Sequence, residues 1–298
     1  MAAEQHLSAK SFIIDASPKQ VAAALGVSES SVKRWCDRGH LATSRTPGGH
    51  RRVAVADVLR FARDRGHVLR APSALFVDEE PSRSPSPTAA AARRALMHAL
   101  LADDAERVAA TILDAWRARG SVHALSDEVI TPVFAEIGER WERGTVDVYE
   151  ERRACELVHR ALREIDRALP VPGRGAPRAI GGTLEGDPFS LPTALAELVL
   201  RERGYDASSL GTWLPAETIA HAVSARRPRL VWLSVGHVVD ARRLAAGHAR
   251  VEEAARTVGA SLVVGGRALE PAVRKQLRYA AFCDAMGHLA SFADALHA

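Results

Sequence analysis

The densest concentration of groups able to act on another molecule is the run Arg45-Thr46-Pro47-Gly48-Gly49-His50-Arg51-Arg52. Three guanidinium groups and the His50 imidazole, carried on a tight Gly48-Gly49 turn, suit contact with a phosphate backbone, since guanidinium donors pair with phosphate two hydrogen bonds at a time. Shortly upstream, Ser30, Ser31, Lys33 and Arg34 fall on the outward side of a short helix beginning near Glu29, where small polar and cationic groups reach base edges and phosphates. No catalytic set accompanies them: a P-loop, H-E-x-x-H, G-x-S-x-G and a G-x-G-x-x-G following a strand are all absent. His237, His248 and His288 lack metal-ligand spacing and read as surface or structural histidines. The three cysteines, Cys36, Cys155 and Cys283, are far apart with no C-x-x-C pair. Neither an enzyme, a metal site nor a disulfide framework is therefore expected. Cys283 reads as a core residue of a strand, and Cys36 as oxidisable if exposed.

The elements that must position the basic residues are legible in apolar spacing. Val21, Ala22, Leu25 and Val27, then Val32 and Trp35, describe two short helices parted by Gly26-Val27-Ser28, the spacing of a helix-turn-helix. Trp35 and Leu41 are expected in its core and His40 as a polar neighbour of the basic turn. Charge agrees with this placement: residues 1–72 hold 12 Lys+Arg against 6 Asp+Glu, net +6, while the whole 298-residue chain carries only +4. A basic head on a near-neutral body is the footprint of a polyanion binder.

Two composition breaks divide the rest. Ala71 to Thr88 has four prolines and four serines and no sustained apolar period, which predicts a linker, and Pro170 to Pro177 is too rich in Pro and Gly to continue a helix. Between them, a run near Ala91 to Leu101 and the sets Val108/Ile112/Leu113/Trp116, Leu125/Val129/Val133/Ile137/Trp141 and Leu157/Val158/Leu162/Ile165/Leu169 predict about four amphipathic helices in an antiparallel bundle. The charged stretch Glu139, Arg140, Glu142, Arg143, Glu150, Glu151, Arg152 and Arg153 reads as a solvated helix face. Beyond residue 177 the rhythm changes. Apolar runs at 178–183, 206–210, 230–235, 261–264 and 280–283 alternate with helical stretches at about 192–203, 216–225, 240–258, 269–276 and 287–297, which predicts a five-stranded parallel sheet covered on both faces. In such a sheet ligands bind beyond the carboxyl ends of the strands, here 184–192, 234–237 and 265–267.

The run VAAALGVSESSVKRW, then RG, then RTPGGHRR and a short helix at Ala56 to Arg63, resembles the DNA-binding unit of the MerR family of winged helix-turn-helix regulators over about 55 residues. The family usually has an aromatic residue after its paired arginines; Val53 stands there. The resemblance implies that Arg34, Arg45, Arg51 and Arg52 contact phosphates from a recognition helix and a wing. The bundle and sheet together resemble the cobalamin-binding module of methionine synthase and of the light-sensing MerR-like repressors. That family carries D-x-H-x-x-G, forty-one residues, S-x-L, some twenty-six to twenty-eight residues, and G-G. Here the corresponding run is Asp187-Pro188-Phe189-Ser190-Leu191-Pro192, forty-one residues, Ser234-Val235-Gly236, twenty-eight residues, and Gly265-Gly266. The spacing is kept and the chemistry is not. In the family the His ligates cobalt and the adjacent Asp fixes its tautomer; Phe189 has no lone pair to donate, Pro192 replaces the glycine, and Gly236 the Leu. The light-sensing repressors also cover the cofactor's upper face with W-x9-E-H, where this chain has Trp141, Glu151 and Arg152, and the His that follows their Trp is Glu142 here.

The expected fold class is therefore multidomain α and α/β: a winged helix-turn-helix head (1–70), a linker (71–88), a four-helix bundle (89–169) and a flavodoxin-like sheet domain (178–298). The expected function is a DNA-binding transcriptional regulator, acting as a repressor on operator DNA as a dimer or tetramer, with a protein co-regulator as a further partner. Met1 to Ile14 lacks the basic and apolar regions of a secretory signal and no window approaches a membrane span, so a cytoplasmic protein is expected. Cobalamin is the cofactor the resemblance implies, and the replacements at Phe189 and Arg152 tell against His ligation. Three uses of the body stay open: a docking and dimerisation surface without ligand; a cleft for a different ligand, with Asp187, Ser234, Gly265, Gly266 and Arg267 as polar contacts and Phe189 and Trp141 as apolar walls; or a corrinoid held without protein ligation. A cobalamin-dependent photoreceptor repressor with atypical cofactor binding is the alternative reading, and a corrinoid carrier in methyl transfer the rival from another class.

Overall fold

The structure is a computed structural model that describes residues 15–45, 49–65, 67 and 88–297. The chain divides into two compact units, Met1–Ser86 and Pro87–Ala298. The stretch expected to link them lies outside the described residues apart from Thr88. Among the described residues no helix is long and apolar enough to cross a membrane.

In the first unit, α1 (Pro18–Leu25) starts at a capping box. The Gln20 backbone N–H donates to Ser17 Oγ (3.2 Å), Ser17 N–H donates back to the Gln20 side chain (2.7 Å), and Pro18 occupies the first helical position. Gly26 closes the helix in the left-handed conformation (φ 65°), and Ser28 caps α2 (Glu29–Asp37) by accepting from Ser31 N–H. Three residues thus reverse the chain between two short helices. A small antiparallel sheet, in the order β1 (Asp15–Ala16), β3 (Arg51–Ala54), β2 (Ser44–Arg45), and helix α3 (Val55–Arg65) complete the unit. Val21, Leu25, Val32, Leu41, Val53, Val58 and Phe61 form its core, which places Leu41 and Val53 in the interior as packing residues.

The second unit begins with α4 (Ala89–Leu101) and α5 (Ala105–Arg119). A continuous helical rod follows: α6 (Val122–Leu125), a π-helical turn (Ser126–Ile130) and α7 (Thr131–Glu142). Helix α8 (Val148–Ala168) closes the bundle from a second capping box, Asp147 with Glu150. The π turn explains why apolar residues recur every four positions from Leu125 to Ile137: an ideal helix would drift some 40° per step, and local underwinding holds the stripe on the core. The stripe leaves the interior at Trp141, which is 50% exposed.

The sheet order is β5 (Asp206–Ser209), β4 (Arg178–Gly182), β6 (Leu230–Ser234), β7 (Ser261–Gly265), β8 (Ala281–Cys283), all parallel. This is the flavodoxin-like order, with its switch point between β4 and β6. Helices α10 (Ala216–Arg226) and α11 (Ala241–Val258) cover one face, where Ile219, Val223, Val251 and Ala255 meet Ile180, Val231 and Leu262. Helices α9 (Ser190–Glu202) and α13 (Met286–His297) cover the other, and α12 (Pro271–Arg274) is a single turn where a longer helix was expected.

The bundle rests on α9 and α13 and is latched there by polar contacts. Both Glu202 carboxylate oxygens accept the Val122 N–H at the start of α6 (3.0 and 3.1 Å). Asp127, in the π turn, accepts Met286 N–H (2.9 Å) and Gly287 N–H (2.8 Å) at the start of α13. In both, a carboxylate from one layer satisfies the orphan amides of a helix in the other. Arg201 adds an ion pair with Asp166 (2.8 Å), and His159 Nε2 bonds Ser190 Oγ (2.8 Å).

His248 on α11 is buried, with no hydrogen-bond partner for Nε2 among the described residues and a pKa pushed down to about 4 by burial. Its folded pKa lies below the unfolded value near 6.5, so the unfolded chain binds the extra proton between those limits. Stability is expected to be fully present above about pH 6.5 and to fall by up to about 3 kcal/mol as the pH drops to 4. His248→Leu removes that part of the slope, as urea titrations at pH 7.5, 5.5 and 4.5 would read.

Candidate functional site

In the first unit, Ser30, Lys33 and Arg34 of α2 are exposed, on the side opposite the buried Val32. Ser31 is half-buried, and its hydroxyl shares a 2.9 Å hydrogen bond with Ser28 Oγ at the helix cap. Lys33 Nζ lies 2.7 Å from Glu29 one turn earlier. In the wing, β2 and β3 pair Arg45 with Arg51 and Ser44 with Arg52 across the ladder. Arg45 donates to the Gly49 carbonyl (3.1 Å), and Gly49 itself has φ 79°. Arg51 is held by Asp37 at the end of α2 (2.6 Å), which fixes the wing against the recognition helix and takes up part of the charge expected for phosphate. Gly49 and His50 are exposed and Arg52 is half-buried; Gly48 lies outside the described residues. Trp35 packs on Phe61 (ring centroids 4.8 Å), and His40 bonds Arg65 (3.3 Å). Cys36 is half-buried, and burial raises its thiol pKa, opposing the reactivity expected of an exposed cysteine.

In the second unit, a chamber of about 450 Å³ lies at the carboxyl ends of the strands, between the sheet and the bundle surface formed by the π turn, α7 and α8. It gathers Trp141, Glu151, Arg152, Phe189, Ser234, Gly265, Gly266 and Arg267, residues spread over 127 positions of sequence, on one surface. Asp187 is not on that surface. It is buried, with one carboxylate oxygen accepting Phe189 N–H (3.0 Å) and the other Gly236 N–H (2.6 Å). The loop after β4 and the loop after β6 are thereby clamped together. Burial raises its pKa against the opposing pull of the Phe189, Gly236 and His237 amides.

The Phe189 ring lies over Gly236, where an added Cβ would stand 3.0 Å from the ring edge, so the large residue at 189 requires the small one at 236. Gly265 and Gly266 are demanded by backbone approach alone. A Cβ on Gly265 would stand 2.3 Å from the Cys283 carbonyl oxygen, and one on Gly266 (φ 125°) 2.0 Å from the Val235 carbonyl oxygen. Glu151 accepts the Cys155 thiol (3.3 Å) and sits 3.4 Å from Arg152. The charged stretch is accordingly split: Arg140, Arg143 and Arg153 make surface ion pairs with Glu136, Glu139 and Asp103, whereas Glu142, Glu151 and Arg152 line the chamber. Asp127, Cys155 and Met286 also line it and carry no sequence signal. Cys283, expected in the core, is half-buried on the chamber wall, its thiol pushed up to about 11 by burial.

This donor set does not fit a cobalt-ligated cobalamin. Among the described residues no histidine lines the chamber, Phe189 and Arg152 line it at the two positions where the resemblance expects histidines, and both Asp187 oxygens are bound to backbone amides instead of an imidazole. Burial also keeps the Cys155 and Cys283 thiols protonated. His237 is exposed, edge-on to Phe189 at 6.4 Å between ring centroids, and His288 is paired with Asp284. Among the described residues no group of three or more His, Cys, Asp or Glu is placed to hold a metal ion.

Residues 17–66 match the family model of the helix-turn-helix domain, and residues 92–165 that of the B12 binding domain. The chain is 29% identical over 226 residues to the HTH-type transcriptional repressor CarH of Myxococcus xanthus, covering 70% of this chain and 75% of that protein. Its fold is shared with the monomethylamine corrinoid protein of Methanosarcina barkeri (TM-score 0.57, 14% identity, 67% of this chain and 96% of that one). One chain thus combines a helix-turn-helix DNA-binding domain with a module of the B12-binding fold.

Proposed function

We propose that this helix-turn-helix protein, with its B12-binding-type body, is a transcriptional repressor that occludes a promoter by binding paired operator half-sites. The observation that carries the reading is the exposed face of α2 with Ser30, Lys33 and Arg34 beside a wing bearing Arg45 and Arg52. The likeness to a repressor over 226 residues, spanning most of both chains, supports the same conclusion. Affinity comes mainly from phosphate contacts made by Arg34, Arg45 and Arg52, with Arg51 acting chiefly through Asp37 to hold the wing in register. The body forms the dimer or tetramer that spaces two heads one helical turn of DNA apart. It acts without a protein-ligated cobalt, because among the described residues no imidazole lines the chamber.

The experiment is fluorescence anisotropy of the full chain on DNA from its own upstream region across a salt series. Arg34→Ala and Arg52→Ala are each expected to weaken binding about tenfold at 0.1 M salt on every DNA sequence and to flatten the log–log salt slope by about one unit. Arg51→Ala is expected to weaken binding while changing the slope less. Absence of DNA binding by the wild type at low salt would overturn the reading in favour of a head that binds protein.

A further inference from the structure

We propose that the chamber between bundle and sheet is a binding site for a compact, largely apolar ligand bearing one anionic group, such as a carboxylate. The proposal rests on the reading that this module does not ligate cobalt. A chamber of about 450 Å³ falls in the range of about 300–1,000 Å³ typical of small-molecule sites. Its walls are mostly apolar: Ile130 and Phe134 on the rod, Leu195 on α9, Trp232 and Val263 on the sheet, and Phe189 between them. The Trp232 ring is fixed by a hydrogen bond from Nε1 to Thr193 Oγ1 (2.9 Å), and the Phe189 loop by the Asp187 clamp. The walls are therefore set before any ligand arrives, which lowers the ordering cost of binding.

Among the described residues, four carboxylates and two guanidinium groups line the chamber, and it is the unpaired guanidinium of Arg267 that selects the head group. Most lining carboxylates are already engaged: Asp127 by two amides of α13, Asp284 by His288, and Glu151 by Cys155 and Arg152. Glu142 is exposed to solvent on the bundle side. Arg267, directly after the Gly265-Gly266 turn, has no carboxylate within ion-pair distance among the described residues. A carboxylate or sulfonate at the chamber mouth would give that guanidinium a partner while the apolar body fills the space against Phe189 and Trp232.

The test uses 1-anilinonaphthalene-8-sulfonate as an anionic apolar probe and the uncharged N-phenyl-1-naphthylamine as its control, with the full-length protein. One saturable site for the anionic probe is expected, competed by decanoate. Arg267→Gln, an exposed change, is expected to weaken the anionic probe about tenfold and leave the neutral one unchanged. Gly138→Trp is expected to abolish binding of both without loss of melting temperature. Gly138 lines the chamber from mid-helix, and an added Cβ there meets nothing within 4 Å, so a side chain can start from this position and its ring project into the space. Equal binding of both probes to wild type and Arg267→Gln would overturn the anionic head, and undiminished binding to Gly138→Trp would overturn the site. An absorption spectrum after dark incubation with adenosylcobalamin separates the two levels. Stoichiometric corrinoid overturns this proposal, and a spectrum showing the cobalt ligated by the protein overturns the reading beneath it as well; no corrinoid and no probe overturns this proposal alone.

Discussion

Gly266→Ala is expected to lower the stability of the Pro87–Ala298 unit by about 4 kcal/mol, near the upper end for a single substitution. Two costs combine. The backbone at 266 has φ 125°, a conformation that residues with a Cβ rarely adopt, and that Cβ would lie 2.0, 2.5 and 2.8 Å from the carbonyl oxygen, carbonyl carbon and nitrogen of Val235. Relief by movement is blocked because the turn is bonded on both sides. Val235 N–H donates to Gly265 (2.7 Å), Ala268 N–H to Val235 (3.3 Å), and Leu269 N–H to Gly266 (3.2 Å). For a unit of this size the melting temperature should fall by about 10 °C, and circular dichroism melts of the two proteins read it directly. An unchanged melt would show that the turn relaxes around a side chain. The glycine pair is thus accounted for by close backbone approach, whatever the chamber holds.

Asp187→Asn is expected to destabilise the same unit by about 3 kcal/mol although its volume is unchanged. The two carboxylate oxygens accept the N–H groups of Phe189 and Gly236, with the His237 amide also directed at them, and an amide side chain offers a donor where one acceptor stood. A buried N–H would then face another N–H, leaving one loop of the clamp unbonded. Two readouts separate this from general loss of packing. Urea denaturation gives the stability, and hydrogen exchange should show the Gly236 amide exchanging much faster while Val231 and Val263, within the sheet, keep their protection in native conditions. If both amides stay protected in the variant, the carboxylate is not what joins the β4 and β6 loops.

Much of the architecture was legible because local chemistry and global packing agree. Ser17, Gln20, Gly26 and Ser28 are helix start and stop signals, and the apolar spacing around them can be satisfied only by two short helices against a small sheet. The five strands beyond residue 177 were readable because strands buried on both faces are continuous apolar runs, such as Leu230–Ser234. The π turn was not readable, since a four-residue spacing is compatible with an ordinary helix over any single step. The single-turn α12 was lengthened by a run, Leu269 to Leu277, whose apolar residues pack as irregular chain.

By itself, the sequence determined which chemistries are available: a basic helix and wing for phosphate, and positions 152 and 189 at which no atom can donate to cobalt. Residue type decides that directly, because lone pairs and charge belong to the side chain wherever it is placed. Only the tertiary structure decided what the remaining groups do. It turned Asp187 onto two amides, Arg51 onto Asp37, and Asp127 onto the start of α13, and it drew Arg152, Phe189 and Arg267 to one chamber. Those partners lie up to 160 residues apart, and a contact at that separation is set by how helices and strands pack, which no local pattern encodes.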